Sequence, residues 1–546
     1  MSASASSSPS SPSAPSPPAP SPPADEMSLP RRGAFMLASA LLWTTQGLGM
    51  NLIATNIPQL QGALGATVQE TTWLTAVYMA PNVTLTVLLT KIRTQFGLRP
   101  FAEVGLGVFL LASLAHLMVN DLNSALVVRF LAGMAAAPLS TLGILYMIQS
   151  FPPARRLGWG ISLALTCSLS MPPVARMISP GLLDLGRWQG LYTLEVGLAL
   201  VALTVVYCLP LQPFPRAKVL HWKDFVSYSL IALGLGLVAA VLAVGHLYWW
   251  FEAPWIGVCL AVAAVALGIA AAIELNRETP LLNVPWLLGP DMVRFALTLL
   301  AYRVVLAEQA SGALGLFQAL GLAGDQTRVL NAVILAATVA GGVSCGALFT
   351  LARVPLLHAV ALACIATGAF LDSHATVLTR PDNMLVSQAL IAFGAAMFLP
   401  SAMSTGLANA FKRGPEFFTS FIAVFLFTQG VGGLLGSAVF GTFVKWRESI
   451  HLRALSDAVT LTDPRVVERL HQLAGAYRAA LPSSAARQAE GLAGLAGEIS
   501  RQASLLAYNE AFFMIGVGAL GMLACVGASL VLAGWLARRA LPSSVS

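Results

Sequence analysis

Charge is the scarcest ingredient of this 546-residue chain. Asp, Glu, Lys and Arg together make up 10% of it, against about 25% in a soluble domain. That supply cannot cover a water-solvated globular surface. Cysteine is equally uninformative as a chemical ligand. The six cysteines (Cys167, Cys208, Cys259, Cys345, Cys364 and Cys525) form no Cys-x-x-Cys and all lie inside apolar runs, so they read as packed thiols rather than a zinc site or a disulfide framework. No His-Glu-x-x-His and no Gly-x4-Gly-Lys-Ser/Thr occurs, so metalloprotease chemistry and ATP hydrolysis lack their residues. A Gly-x-Ser-x-Gly pattern at Gly342–Gly346 falls in the middle of an apolar run, whereas a nucleophile elbow needs a strand–turn–helix. These exclusions point away from an enzyme and call for no cofactor. Any work the protein does must draw on an ion gradient or on its substrate's own gradient.

What the chain has in abundance is apolar sequence: 57% hydrophobic residues and a mean hydropathy of +0.75. A helix crosses the hydrocarbon with ~20 mostly apolar residues, and fourteen runs of that kind can be read, at 33–57, 72–90, 101–119, 124–150, 158–178, 188–209, 225–247, 255–274, 292–318, 328–352, 355–371, 384–409, 417–444 and 508–537. The runs are unbroken, which excludes the alternating pattern of a transmembrane β-barrel. Residues 2–23 are almost wholly Ser, Pro and Ala and read as a disordered tail. With that tail in the cytoplasm, Arg31, Arg32, Lys91, Arg93, Arg99, Arg155, Arg156, Arg216, Lys412 and Arg413 all fall on cytoplasmic segments, whereas the short outer loops hold Arg187, Arg328 and Arg380. The positive-inside rule therefore places both termini in the cytoplasm. The same bias explains the net charge of +7 without any nucleic acid. One outer loop is long, about 446–507, and Thr462-Asp463-Pro464 reads as a helix start within it; a helical hairpin is expected there.

Several segments resemble the fourteen-span drug/proton antiporters of the major facilitator superfamily, especially their EmrB-like branch. The fourth span reads Val128-Arg129-Phe130-Leu131-Ala132-Gly133, then Pro138, and exits through Phe151-Pro152-Pro153-Ala154-Arg155-Arg156, similar to that family's R-x-x-Q-G…P…(Y/F)PP-x-x-R stretch. Asn56-Ile57-Pro58-Gln59-Leu60 resembles the end of its first span, Gln429-Gly430-Val431-Gly432-Gly433 its thirteenth, and Asn509-Glu510-Ala511-Phe512 the start of its last. The resemblance covers roughly 33–540. The departures are as informative. Gly49 stands where the family's first span carries an Asp. The loop after the second span keeps Gly97 and the basic residues Lys91, Arg93 and Arg99 of a cytoplasmic gate loop but has no Asp, and the fifth-span antiporter motif is replaced by Ala175-Arg176-Met177-Ile178-Ser179-Pro180.

A charge at the bilayer centre costs on the order of 3 kcal/mol on insertion scales, so every intramembrane ionisable residue is a functional candidate. Glu308 lies deep in the ninth span, beside Gln309 and five residues after Arg303. Low dielectric penalises the charged form of a carboxyl, and a group that takes up H⁺ on one side and releases it on the other is what proton coupling requires. Glu308 is the first candidate proton carrier and Glu195 the second. A structural Arg–Glu network is the competing reading for Glu308. The resemblance implies a role for Arg129 in substrate or proton handling. Arg176 reads either as a residue reaching the outer interface or as a counter-charge for Glu195 or for an anionic substrate. Gln46, Asn51 and Asn56 recur every five residues, about 140° apart on a helix, so helix–helix hydrogen bonds compete with substrate contacts. Glu103 is expected to stabilise the inner gate near Lys91 and Arg93.

The chain thus reads as an all-α, multi-pass transporter of the bacterial inner membrane, with the major facilitator fold and 14 transmembrane helices. Its divisions are the 1–32 cytoplasmic tail, a six-helix half at 33–210, two additional spans within 211–290, five helices of the second half at 291–445, the 446–507 extracytoplasmic loop, and the last span with a short tail at 508–546. The resemblance implies rocker-switch export of an amphipathic or aromatic compound in exchange for protons. Its partners are then a small organic substrate, protons and the lipid bilayer, with a periplasmic adaptor and an outer-membrane channel docked at the long loop. A dedicated exporter or uniporter of one metabolite, such as an anionic siderophore, and a non-transporting sensor or scaffold remain open.

Overall fold

The computed structural model describes residues 27–186, 189–212, 216–322, 324–414 and 417–540. The Ser/Pro-rich tail up to residue 26, Arg187 and residues 541–546 lie outside the described residues. Every regular element among the described residues is helical. The first half contains α1 (Leu29–Thr55), the short α2 (Ile57–Leu64), α3 (Val68–Phe96), α4 (Leu98–His116), α5 (Leu122–Gln149), α6 (Ile161–Gly186) and α7 (Gln189–Cys208). A middle pair follows, α8 (Trp222–Val244) and α9 (Pro254–Leu275), with the short α10 (Val284–Leu287). The second half contains α11 (Pro290–Val305), α12 (Ala313–Ala319), α13 (Arg328–Leu348), α14 (Val354–Asp372), α15 (Leu385–Arg413), α16 (Phe417–Ala458), α17 (Pro464–Ala476) and α18 (Ser484–Ala540). The face where α1 starts is termed proximal below, and the opposite face distal.

Twelve helices among the described residues are long and apolar enough to cross a membrane. Neither α1 nor the ninth apolar run belongs to that set. Of these, α1 is long enough but carries Arg31, Arg32, Gln46 and Asn51. The ninth run, expected as one helix over 292–318, is broken: α11 stops at Val305 and a π-helical turn at Glu308–Gly312 separates it from α12. A Cβ at Gly312 would lie 2.8 Å from both Phe440 and Phe512, so α16 and α18 press on the break.

Local sequence sets the helix starts. Thr67 and Glu70 form a reciprocal capping box at α3, and Asp121 with Ser124 does the same at α5. Apolar side chains remain exposed along α9, among them Val258, Leu260, Val262, Val265 and Ile269, as a lipid-facing helix requires. The halves meet along α6–α13 and α3–α16. Small residues permit this approach: a Cβ at Gly342 would lie 1.7 Å from Thr166 Oγ1. Ser404 Oγ also donates across the halves to the Leu157 carbonyl, at 2.6 Å.

The expected gate loop is helix instead. Lys91 and Arg93 lie in the last turns of α3, and Gly97 alone separates α3 from α4, turning the chain with φ of 89°. Glu103 does not approach Lys91; it pairs with Arg99 on its own helix at 2.8 Å. Lys91 Nζ pairs with Asp224 Oδ1 of α8 at 2.8 Å, and Arg277 Nη2 reaches the same oxygen at 2.7 Å. Above this network Val87, Leu88, Ile231 and Ala270 bury the seam that seats α8 and α9 on α3.

On the distal face, α16 and α18 have 42 and 57 residues. At 1.5 Å per residue these are about 63 and 86 Å long, well beyond a hydrocarbon core of about 30 Å. Asp463 caps α17 by accepting from the Arg465 N–H at 2.9 Å, with Pro464 at its start. Arg469 pairs with Glu498 at 2.5 Å, fastening α17 to the start of α18.

Candidate functional site

The break in the ninth run delivers Glu308 to a cluster that three separate elements build. Glu308 comes from the π-helical turn, Asp372 from the last residue of α14, and Gln388 from the first turn of α15. Gln388 Nε2 donates to Glu308 Oε1 and to Asp372 Oδ2, at 2.7 Å in each case. Ser387 Oγ donates to the other oxygen of Asp372. Glu308 is 0% exposed and Asp372 2%. No cation pairs with either carboxyl among the described residues. Glu308 Oε2 and Gln388 Oε1 are buried and receive no hydrogen bond. Unsatisfied buried acceptors are rare, and protonating a carboxyl converts one of them into a donor. Gln309 reaches the same place, donating from Nε2 to the Gln388 carbonyl at 3.2 Å.

A second cluster lies in the distal part of the first half. Arg129 of α5 is 1% exposed. Its Nη1 donates to the Gly49 carbonyl at 2.9 Å, and its guanidinium lies 4.1 Å from the centre of the Tyr78 ring. Glu195 of α7 is also buried, accepting from Ser113 Oγ at 3.3 Å. A Cβ at Gly49 would lie 2.9 Å from Glu195 Oε1. The carboxyl of Glu195 therefore occupies the space a side chain at position 49 would need. His116 stacks on Tyr192 at 4.2 Å beside this group.

The other candidates distribute as follows. Arg176 does not meet Glu195; its Nη2 crosses between the halves to the Ala310 carbonyl, at 2.9 Å, in the turn that carries Glu308. Arg303 does not pair with Glu308. Its side chain lies over the glycine face of α16, where a Cβ at Gly433 would be 2.6 Å from its Nη2. Gln429 sits one turn earlier on that face, with Nε2 buried and unpaired. Asn51 and Asn56 bond back to Gly47 and Leu52 of α1, and Asn56 Oδ1 also accepts from Ser179 Oγ of α6 at 2.6 Å. Gln46 is buried on α1 and joins neither of them.

Asp372, Ser387 and Gln388 escape a reading of the sequence alone, because Asp372-Ser373-His374 looks like the start of a loop. The one available signal was the polar pair Ser387-Gln388 in an otherwise apolar span. A surface cleft of about 500 Å³ lies elsewhere, between α14, α16 and α18, with Phe370, Phe443 and Phe513 among its walls.

Buried acids and arginines gathered inside a bundle of apolar helices define a multi-pass membrane transporter. The chain belongs to the Major Facilitator Superfamily, whose family model matches residues 40–437. Among characterised relatives it is 27% identical over 270 residues to the fatty acid resistance protein FarB of Neisseria gonorrhoeae, covering 47% of this chain and 51% of that one. It is 25% identical over 255 residues to the multidrug export protein EmrB of Escherichia coli, covering 45% and 48%. The aligned part thus spans about half the length of these relatives. The colistin resistance protein EmrB of Acinetobacter baumannii matches at 20% identity over 467 residues, covering 83% and 88%. Among solved structures, the human organic anion transporter MFSD10 superposes with a TM-score of 0.55 at 11% identity, covering 89% of this chain and 99% of that one. The proton:xylose symporter XylE gives 0.54 at 14%, covering 91% and 96%. These two likenesses speak for the fold.

Proposed function

We propose that the protein is a fourteen-span, proton-coupled exporter of amphipathic organic compounds in a bacterial inner membrane. Adding α1 and the broken α11–α12 segment to the twelve long apolar helices gives fourteen, and the basic residues of the proximal loops put both termini in the cytoplasm. The single observation that carries the coupling is the Glu308–Gln388–Asp372 cluster. Two buried carboxyls this near each other do not both ionise, so the pair shares one proton, and the Gln388 amide holds the two carboxyls together by donating to each. Its members ride on three elements, and relative motion of those elements changes which face reaches the proton. Glu195 beside Arg129 is the corresponding candidate in the first half. Gln46, Asn51 and Asn56 then serve packing on α1 more than substrate contact.

The fatty acid resistance, multidrug export and colistin resistance named for the three relatives support an amphipathic cargo. The hairpin at 446–507 is the surface on which a periplasmic adaptor, and through it an outer-membrane channel, would dock. Arg176, in place of the family's fifth-span motif, favours a dedicated metabolite exporter as the second reading. The test is proton release in proteoliposomes carrying a pH-gradient dye, on addition of a panel of amphiphiles. The wild type should discharge the gradient when its cargo is added, and Glu308→Gln and Asp372→Asn should not. Exchange by Glu308→Gln at the wild-type rate would remove this site from the mechanism.

A further inference from the structure

Of the three arginines at membrane depth among the described residues, Arg129 donates to a backbone carbonyl and lies on Tyr78, and Arg176 donates to Ala310. Arg303 has neither arrangement. Its Nε is buried without an acceptor, and no carboxylate pairs with it among the described residues. The residue as a whole is half-buried. Its aliphatic stem and its backbone each lie close on a glycine of α16. A Cβ at Gly432 would lie 2.9 Å from Arg303 Cγ, and a Cβ at Gly436 would lie 2.5 Å from the Arg303 carbonyl. The glycines form a floor along which the side chain lies, and the guanidinium ends over Gly433.

Gln429 lies four residues before Gly433, on the same face of α16, and its Nε2 is a second buried donor without an acceptor. Arg303 is the fourteenth residue of α11 and Gln429 the thirteenth of α16. Both helices start at the proximal face, so both residues sit about 18–20 Å along the bundle, near its middle. The next residue, Gly430, packs on Val83 of α3, where a Cβ would meet Val83 Cγ2 at 2.3 Å. The place is therefore a seam between the two halves, walled by Val83 and Leu300.

We infer that Arg303 and Gln429 form the head-group subsite of the exported compound, and that this compound is an amphipathic monoanion with a carboxylate head and an apolar body. The inference rests on the transport reading above and specifies its substrate. Two unused donors carrying one positive charge match one planar carboxylate, which accepts two or more hydrogen bonds and neutralises the guanidinium. A lipophilic cation would face an uncompensated arginine in low dielectric, which is strongly unfavourable. Val83 and Leu300 offer apolar contact to the body of such a compound, and a site on the seam is exposed in turn to each face as the halves rock.

The test uses the full chain in nanodiscs of phosphatidylcholine, so that the added probe is the sole anionic amphiphile. Binding of decanoate and of decyltrimethylammonium is followed by intrinsic tryptophan fluorescence. Decanoate should bind saturably and the cation should not. Arg303→Gln should weaken decanoate at least tenfold, Gln429→Leu about threefold to tenfold, and Arg303→Lys less than Arg303→Gln. Saturable binding of the cation, no saturable binding of decanoate by the wild type, or wild-type affinity in folded Arg303→Gln would each overturn the assignment. Should Arg303→Gln fail to fold, Gln429→Leu and Arg303→Lys carry the same test. Failure of the proton site would appear in proton release alone, and failure of this subsite in binding.

Discussion

Replacing Gln388 by Leu is the sharpest perturbation available, because it removes the bridge and leaves both acids in place. Leucine nearly fills the volume of glutamine, so packing around this fully buried residue is kept. Two hydrogen bonds of 2.7 Å disappear. One of them serves an ionised carboxylate and contributes about 1.5–3 kcal/mol; the other serves a neutral acid and contributes about 0.5–1.5 kcal/mol. The substitution also deletes Gln388 Oε1, an acceptor that has no donor, and this returns about 1 kcal/mol. A net loss of about 1–3.5 kcal/mol is expected, with proton-coupled transport abolished. Glu308→Gln should behave differently: the amide still accepts from Gln388, one of two crowded acids is gone, and stability should stay within about 1 kcal/mol of wild type while coupling is lost. Thermal unfolding in nanodiscs, read beside the dye assay, separates the two. A Gln388→Leu protein as stable as wild type and still proton-driven would show that the amide does not join the two acids, and the shared-proton reasoning would fail.

Three other outcomes follow from packing and charge. Asp224→Ala leaves Lys91 and Arg277 facing each other without their common carboxylate. Breaking a buried pair in this way costs about 3–5 kcal/mol, and thermal unfolding should recover much of that in the double variant Lys91→Met/Asp224→Leu. Gly342→Ala drives a methyl group onto Thr166 at the seam between α6 and α13. A loss of about 1–3 kcal/mol is expected, partly restored by Thr166→Ala; an unaffected melting temperature would mean that the seam is looser than described. Arg176→Ala deletes a charged donor's bond to the Ala310 carbonyl across the halves, worth about 1.5–3 kcal/mol. Distances between spin labels at the exposed residues Asn120 and Val377 should then broaden toward a distally opened population, and identical distributions would refute the latch.

The apolar runs made the helices legible because length and hydropathy alone decide whether a segment can sit in hydrocarbon. They also concealed the two features that matter most for chemistry. The ninth run contains no proline at Glu308, and its break lies where Phe440 and Phe512 pack on Gly312, residues more than 120 positions away. Gln388 likewise acquires its meaning from Glu308 and Asp372, which sequence separates by 80 and 16 residues. The basic residues after the second span were visible as a cluster, but their partner was not. Lys91 is committed to Asp224 because the middle pair of helices packs on α3, and no local pattern announces that packing.

Glycine at position 49 and the carboxyl of Glu195 are one arrangement rather than two. A side chain at position 49 and the carboxyl of Glu195 compete for the same volume, since a Cβ there would fall 2.9 Å from Oε1. With glycine at 49, that carboxyl enters from α7, and Arg129 turns to the freed backbone carbonyl of Gly49. The first half therefore keeps a buried acid beside a buried arginine, delivered by a different helix. An acid carried by α7 is tied to α4 through Ser113 and also packs against α1, so it joins the two helices on either side of it. If protons pass through this half, the double variant Gly49→Asp/Glu195→Ala should transport better than Glu195→Ala in the dye assay. Equal loss in both would mean that the helix bearing the acid, and not the acid's position alone, is part of the mechanism.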